Sequence, residues 1–213
     1  MKRRDLFKFI LSCLFLSSFG FLIASEDGWV KMLADEDLTG WKSNEEIPNC
    51  FSVENGILKV SGGRAHLFYT GKEGNASFVN FEFKAKVKTT KGSNGGIYFH
   101  TEYQKRGWPS KGYEAQVNSS HKDNRKTASL YGIQDVHESP SVDDEWCDYY
   151  IRVEGKHIII KINGKTQVDY TEPDNVERPN HFAGRLLMKG TFGIQGHDPK
   201  STCYYKDLYV KKL

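Results

Sequence analysis

Net charge is the first thing this sequence has little of. The 213 residues carry 30 Lys and Arg against 27 Asp and Glu. The whole formal +3 lies in the first 25 residues, where Lys2, Arg3, Arg4 and Lys8 outweigh Asp5. The remainder of the chain is neutral and has no net field to gather phosphates, which argues against nucleic acid as a partner. Cysteine is sparse as well, four in all. Cys13 sits inside an apolar run, and Cys50, Cys147 and Cys203 cannot all pair within one chain. Either one disulfide forms and one thiol is buried, or all three are core residues. No spacing suggests zinc, and there is no Gly-x-Ser-x-Gly elbow or phosphate loop. Also missing is the Glu-x-Asp-x-x-Glu strand that sets two carboxylates about 5 Å apart for retaining glycoside hydrolysis. Glu114 is followed by Gln116 and Glu145 by Cys147, so two-carboxylate hydrolysis is disfavoured. No helix of useful length, internal repeat or linker is visible.

What is present begins with a leader. Met1 to Lys8 is basic, and Phe9 to Ser25 is apolar and ends in Ala24-Ser25. Residues 1–25 therefore read as a signal peptide, too short and wrongly flanked for a membrane span. Arg3-Arg4 followed by Asp5, Leu6, Phe7 and Lys8 resembles a twin-arginine export signal with the usual Phe-Leu order exchanged; the alternative is a general secretory signal. Either way the expectation is an exported, periplasmic or secreted bacterial protein with no stable membrane span once the leader is removed. Residues 26–213 are expected to form one domain.

That domain reads as strands. Val79, Phe81, Phe83, Ala85 and Val87 alternate with Asn80, Glu82, Lys84, Lys86 and Lys88, which gives one strand over Phe78 to Thr89 with a dry and a wet face. Asn55-Gly56 and Asn163-Gly164 supply the positive φ angles of tight hairpin turns, joining Phe51–Val53 to Ile57–Val60 and His157–Ile162 to Lys165–Tyr170. Further strands are expected at Ala65–Thr70, Ser129–Ile133, Trp146–Glu154, Met188–Gly196 and Cys203–Val210. Many short strands at about ten-residue spacing indicate an all-β, two-layer antiparallel β-sandwich. The irregular stretch 134–145 is long for a compact domain and is expected to wall a cleft, and 172–185 reads as another irregular insertion with two prolines.

The organising segment is Asn94 to Asn118. Two strands, Gly95–Thr101 and Gly112–Asn118, place Ile97, Phe99, Tyr113, Ala115 and Val117 on one face. The other face lines up Tyr98, His100, Glu102, Glu114, Gln116 and Asn118, too much titratable and hydrogen-bonding chemistry for an ordinary wet face. It reads as the floor of a sugar-binding cleft.

The order of Leu38-Thr39-Gly40-Trp41, Phe51-Ser52-Val53-Glu54-Asn55-Gly56, Asn94-Gly95-Gly96-Ile97-Tyr98-Phe99, Gly112-Tyr113-Glu114-Ala115-Gln116, Leu130-Tyr131-Gly132, Asn163-Gly164-Lys165 and Gly193-Ile194-Gln195-Gly196-His197 resembles the 3-keto-disaccharide hydrolase family across nearly all of the chain after its leader. The resemblance implies a concanavalin-A-like jelly roll and cleavage of 3-keto-glycosides made by a sugar 3-oxidoreductase acting upstream. A ketone at carbon 3 acidifies the hydrogen on carbon 2; a base removes it, the enolate expels the aglycone from carbon 1, and water adds back. On this reading Glu114 and His197 are the acid and base pair, in undetermined order, with His100 a substrate or metal contact. Gln116, Tyr131 and Gln195 hold hydroxyls, Tyr98 and Trp108 stack on a sugar ring, and Glu102 joins the substrate-binding face. No cofactor is assigned. A divalent cation is left open, and the adjacent acids Asp143, Asp144 and Glu145 lack EF-hand spacing. The rival function is a non-catalytic, lectin-like carbohydrate-binding module.

Overall fold

The period-two pattern becomes two antiparallel sheets in the computed structural model, which describes residues 27–213. The expected signal peptide over residues 1–25 lies outside the described residues. In chain order the strands are β1 (Val30–Lys31), β2 (Trp41–Ser43), β3 (Phe51–Glu54), β4 (Ile57–Ser61), β5 (Ala65–Tyr69), β6 (Phe81–Thr89) and β7 (Gly95–Thr101). They continue with β8 (Tyr113–Val117), β9 (Cys147–Glu154), β10 (His157–Ile162), β11 (Lys165–Thr171), β12 (Thr191–Gly196) and β13 (Thr202–Lys212). One sheet runs β11-β10-β9-β6-β13-β4-β3 with β1 also paired to β13, and the other runs β2-β5-β12-β7-β8. The architecture is the two-layer sandwich the alternation predicts.

Both Asn-Gly turns take the expected left-handed angles, φ 51° and 72° at Asn55 and Gly56 and 49° and 77° at Asn163 and Gly164. They set Glu54 opposite Ile57 and Ile162 opposite Lys165. On β6, Phe81, Phe83, Ala85 and Val87 are buried, whereas Lys84 is exposed. Those rings meet the second sheet through Phe192, whose centroid lies 4.8 Å from Phe81 and 5.1 Å from Phe83, within the range where aromatic pairs attract beyond their buried area. Some strands are shorter than expected. Phe78 makes only an isolated bridge to Gly190, and the segment around Leu130 makes only bridges to Ala115 and Gln134. Among the described residues no helix is long and apolar enough to cross a membrane.

The two sheets differ in how they meet water. The larger sheet has exposed positions along β6 and β9, whereas β5, β7 and β8 are buried at every position. The inner face of the smaller sheet joins the core through Leu67, Ile97, Phe99, Ala115 and Ile194. Polar side chains collect on its outer face, bordered by residues of the 108–110 and 181–185 connections, whereas the 134–145 stretch expected to wall the cleft contributes no residue there.

Cys50, Cys147 and Cys203 are all buried free thiols. Burial pushes Cys50 and Cys147 up to about 11 and Cys203 up to about 12, far from the thiolate form that exchanges or reacts. Of the two alternatives open to the sequence, three core residues is the one found. Reducing agent is therefore expected to leave the melting temperature unchanged. A fall of several degrees on adding dithiothreitol would contradict this.

Candidate active site

Strand register builds the floor of the site. Across β8, β7, β12 and β5, Glu114 lies opposite Tyr98, Tyr98 opposite Gly193, and Gly193 opposite Phe68. The next rung places Gln116 opposite Gly96, Gly96 opposite Gln195, and Gln195 opposite His66. These residues project to the outer face because side chains alternate along each strand. The gap at Gly96 is essential to the arrangement. A Cβ there would stand 2.7 Å from Glu114 Oε1 and 3.2 Å from its Cγ, so only glycine lets the carboxylate lean across the rung toward Gln195.

Glu114 is the centre of a dense network. Its Oε1 accepts from Gln195 Nε2 at 2.8 Å, and its Oε2 accepts from the Tyr98 hydroxyl at 2.8 Å and from the Arg185 guanidinium at 3.2 Å. Burial raises the Glu114 carboxyl above the usual carboxylate range; Arg185, Tyr98, Gln195 and His197 pull it back without cancelling the rise. A carboxylate moved toward neutral pH is better matched to taking a proton than an ordinary surface glutamate.

Arg185 was not anticipated from sequence. It arrives from the 172–190 connection, docked where Gly112 N–H donates to the Gly184 carbonyl at 2.9 Å. A side chain at Gly184 would collide with the Ser110 carbonyl oxygen, so this close approach of two loops requires glycine. The guanidinium carbon then sits 5.2 Å from the Tyr98 ring centroid, adding a cation–π contact to the ion pair.

Above this floor is a cavity of about 410 Å³, within the size range of small-ligand sites. Tyr98, Glu114, Gln116 and Gln195 line it below; Trp108 and His197 stand on one side and Tyr131, Phe182 and Arg185 on others. Gln116 Oε1 and Gln195 Oε1 are buried acceptors without partners. Orphaned acceptors on a cavity floor ask for donors, and hydroxyl groups supply them. Trp108 remains 43% exposed and has its ring 5.4 Å from that of His197. His197 Nδ1 lies 3.0 Å from Asp198 Oδ2. Burial opposes ionisation of Asp198, but donors from Ser201, His197 and the Lys200 backbone outweigh it and hold the carboxyl at about 2.

Seven of the nine expected side chains, Tyr98, Trp108, Glu114, Gln116, Tyr131, Gln195 and His197, thus border one cavity. Two do not. Glu102 is exposed and pairs with Lys111 at 2.6 Å. His100 leaves the cleft face because its backbone turns left-handed at φ 54°, uncommon for any residue but glycine. The strand alternation stops there. The His100 ring packs 5.5 Å from Phe81, its Nε2 donates to the Val79 carbonyl at 2.8 Å, and its Nδ1 accepts from Met188 N–H at 3.2 Å. It serves as a structural pin rather than the expected substrate or metal contact. Asp143, in the acidic group, instead accepts hydroxyl hydrogen bonds from Thr89 at 2.8 Å and from Ser120.

His100 and the equally buried His66 carry a pH prediction. Burial pushes each down to about 4. The unfolded chain takes up these protons near 6.5, before the folded chain does, so stability is complete above 6.5 and falls as pH drops toward 4. Each gap is worth on the order of 3 kcal/mol at its limit. Urea unfolding at pH 7 and pH 5 is expected to show the loss, and His100→Gln, which keeps a donor and an acceptor, is expected to flatten it. A slope unchanged in that variant would remove His100 from the explanation.

The family described as 3-keto-alpha-glucoside-1,2-lyase-like domain matches residues 28–211. A relative named 3-keto-disaccharide hydrolase, from Bacteroides thetaiotaomicron, is 25% identical over 170 residues, which is 68% of this chain and 59% of the relative. The match therefore spans about three fifths of that relative's length. Among solved structures, a candidate glycosyl hydrolase from Parabacteroides distasonis ATCC 8503 is similar at a TM-score of 0.73 and 19% identity, over 87% of this chain and 94% of that one. The carbohydrate binding module CBM66 from Bacillus subtilis is similar at 0.58 and 14%, over 82% and 96%. These two likenesses concern the sandwich itself.

Proposed function

The chain belongs to the family of 3-keto-alpha-glucoside-1,2-lyase-like domains, and from that membership we propose that its cavity cleaves 3-keto-glycosides by elimination followed by hydration. The observation that carries the reading is Glu114, a buried carboxylate raised by its surroundings on the floor of a sugar-sized cavity. In this reading the carboxylate takes the proton from carbon 2. The electron pair left behind enters the carbonyl at carbon 3 as an enolate, then returns to form the carbon 1–carbon 2 double bond as the aglycone oxygen leaves carbon 1 and takes up the proton that Glu114 removed. Water adds to carbon 1 while carbon 2 regains a proton, giving the free 3-keto sugar.

Several features support the assignment. Tyr98, Gln195 and Arg185 hold the carboxylate in one orientation, which a base needs if it is to meet a single carbon–hydrogen bond. Gln116 and Gln195 offer unpartnered acceptors to sugar hydroxyls. Arg185 is already neutralised by Glu114, so a neutral sugar suits the floor better than a uronate. The rim formed by Trp108 and His197 is the side given to the aglycone. The substrate would be supplied by a sugar 3-oxidoreductase, and the protein would act in the periplasm or outside the cell.

The test is turnover of a 3-keto-glucoside beside its unoxidised parent glucoside. Release of aglycone from the keto compound alone is expected. Binding of both sugars with turnover of neither would favour a carbohydrate-binding module and overturn the proposal.

A further inference from the structure

Beside the Glu114 network lies a second group of side chains that the proposed proton transfer does not use. His121 comes from the connection after β8, and His197 and Asp198 come from the turn after β12. One ring nitrogen of each histidine and one Asp198 oxygen lie within 4.8 Å of one another. Asp198 Oδ2 is 3.0 Å from His197 Nδ1 and 3.9 Å from His121 Nε2. We propose that His121, His197 and Asp198 form a binding site for a first-row divalent metal ion at the rim of the cavity.

Two imidazoles with one carboxylate suit zinc, nickel, iron or manganese; calcium and magnesium prefer sets made of oxygen alone. All three residues are partly buried, and His197 also lines the cavity. Three protein ligands leave coordination positions of an ion free for a substrate or water oxygen.

An independent observation points the same way. Asn94 is 1% exposed, and its Nδ2 lies 3.2 Å from His121 Nδ1 and 3.4 Å from His197 Nε2. Its Oδ1 has no partner, a costly state for a buried amide. With the amide nitrogen donating to both rings, the ring protons sit on His121 Nε2 and His197 Nδ1, the atoms that face Asp198. Turning the Asn94 amide end over end reverses this. The orphaned oxygen then accepts an N–H from each ring, and the lone pairs of His121 Nε2 and His197 Nδ1 point to the position beside Asp198. The exchange gives up the contact from Asp123 N–H to His121 Nδ1 at 3.1 Å. Asn94 thereby becomes the outer support that fixes ring tautomers for metal ligation. The site stands on its own geometry and does not depend on the sugar reaction.

The experiment is calorimetric titration of chelator-treated protein with zinc chloride, with calcium chloride titrated in parallel. One zinc ion per chain with a micromolar or tighter dissociation constant is expected, with no calcium binding. His121→Gln is expected to weaken zinc by about tenfold or more, and Asn94→Ala by about tenfold. Absence of zinc binding, or zinc binding unaffected by His121→Gln, would overturn the proposal. Cobalt(II) added to the unmodified protein gives a second readout that needs no variant. Intensified visible absorption from nitrogen ligation is expected, and a spectrum identical to that of the aqueous ion contradicts the site.

Discussion

Glu114→Gln is expected to lower kcat on a 3-keto-glucoside by about 10³-fold, the scale set by removal of a positioned general base, while changing the substrate dissociation constant only a few fold. Glutamine keeps the length and one acceptor of the original side chain, so the sugar should still meet a floor of nearly the same shape. What it removes is the proton-accepting form. The substitution also leaves the Arg185 guanidinium, now 3.2 Å from Glu114 Oε2, without its counter-charge in a buried site. Removing one partner of such a pair costs about 3–5 kcal/mol, so turnover must be measured below the lowered melting temperature. Unaltered turnover in a folded Glu114→Gln protein would eliminate Glu114 as the base.

The second large effect is on Arg185. Arg185→Met is expected to destabilise the fold by about 3–5 kcal/mol, because it strands a buried carboxylate. It should also change the chemistry in a direction that can be worked out. Burial raises the Glu114 carboxyl, and Arg185 is the strongest of the groups pulling it down. Without Arg185 the carboxyl rises further, more of it is protonated at a given pH, and the acid limb of the kcat/KM profile moves to higher pH. The double variant Glu114→Gln, Arg185→Met carries neither charge and is expected to recover much of the lost stability, since the penalty belongs to the unpaired partner. An acid limb that stays in place in Arg185→Met would show that Glu114 does not control it.

Part of the fold and site can be read directly from residue order. The Asn-Gly pairs at 55–56 and 163–164 determine their hairpins locally, because few residues other than asparagine and glycine accept two successive positive φ angles. Alternation on β7 and β8 places Tyr98, Glu114 and Gln116 on one face, since the strand period leaves no other choice. His100 escapes that logic. Its left-handed backbone is imposed by tertiary packing around Phe81, Val79 and Met188, and nothing in the alternating pattern announces it. Arg185 escapes for a different reason. It belongs to an irregular segment, and its approach to Glu114 depends on the meeting of Gly184 with the 110–112 loop, a contact between stretches about seventy residues apart. Gly184 ahead of Arg185, just after the short 3-10 turn Asn180–Phe182, is the one local hint of a close backbone approach. The cysteines stay open in sequence because pairing depends on distance, and burial as separate thiols is a property of the packed core.

The most direct measurement is deuterium incorporation at carbon 2, followed by proton nuclear magnetic resonance, when the protein turns over a 3-keto-glucoside in deuterium oxide. Elimination and rehydration through Glu114 predict that the released 3-keto sugar carries deuterium at carbon 2 well above the enzyme-free rate, and that Glu114→Gln lowers both the labelling and the release by about 10³-fold. Aglycone released with the original carbon 2 hydrogen retained would contradict it.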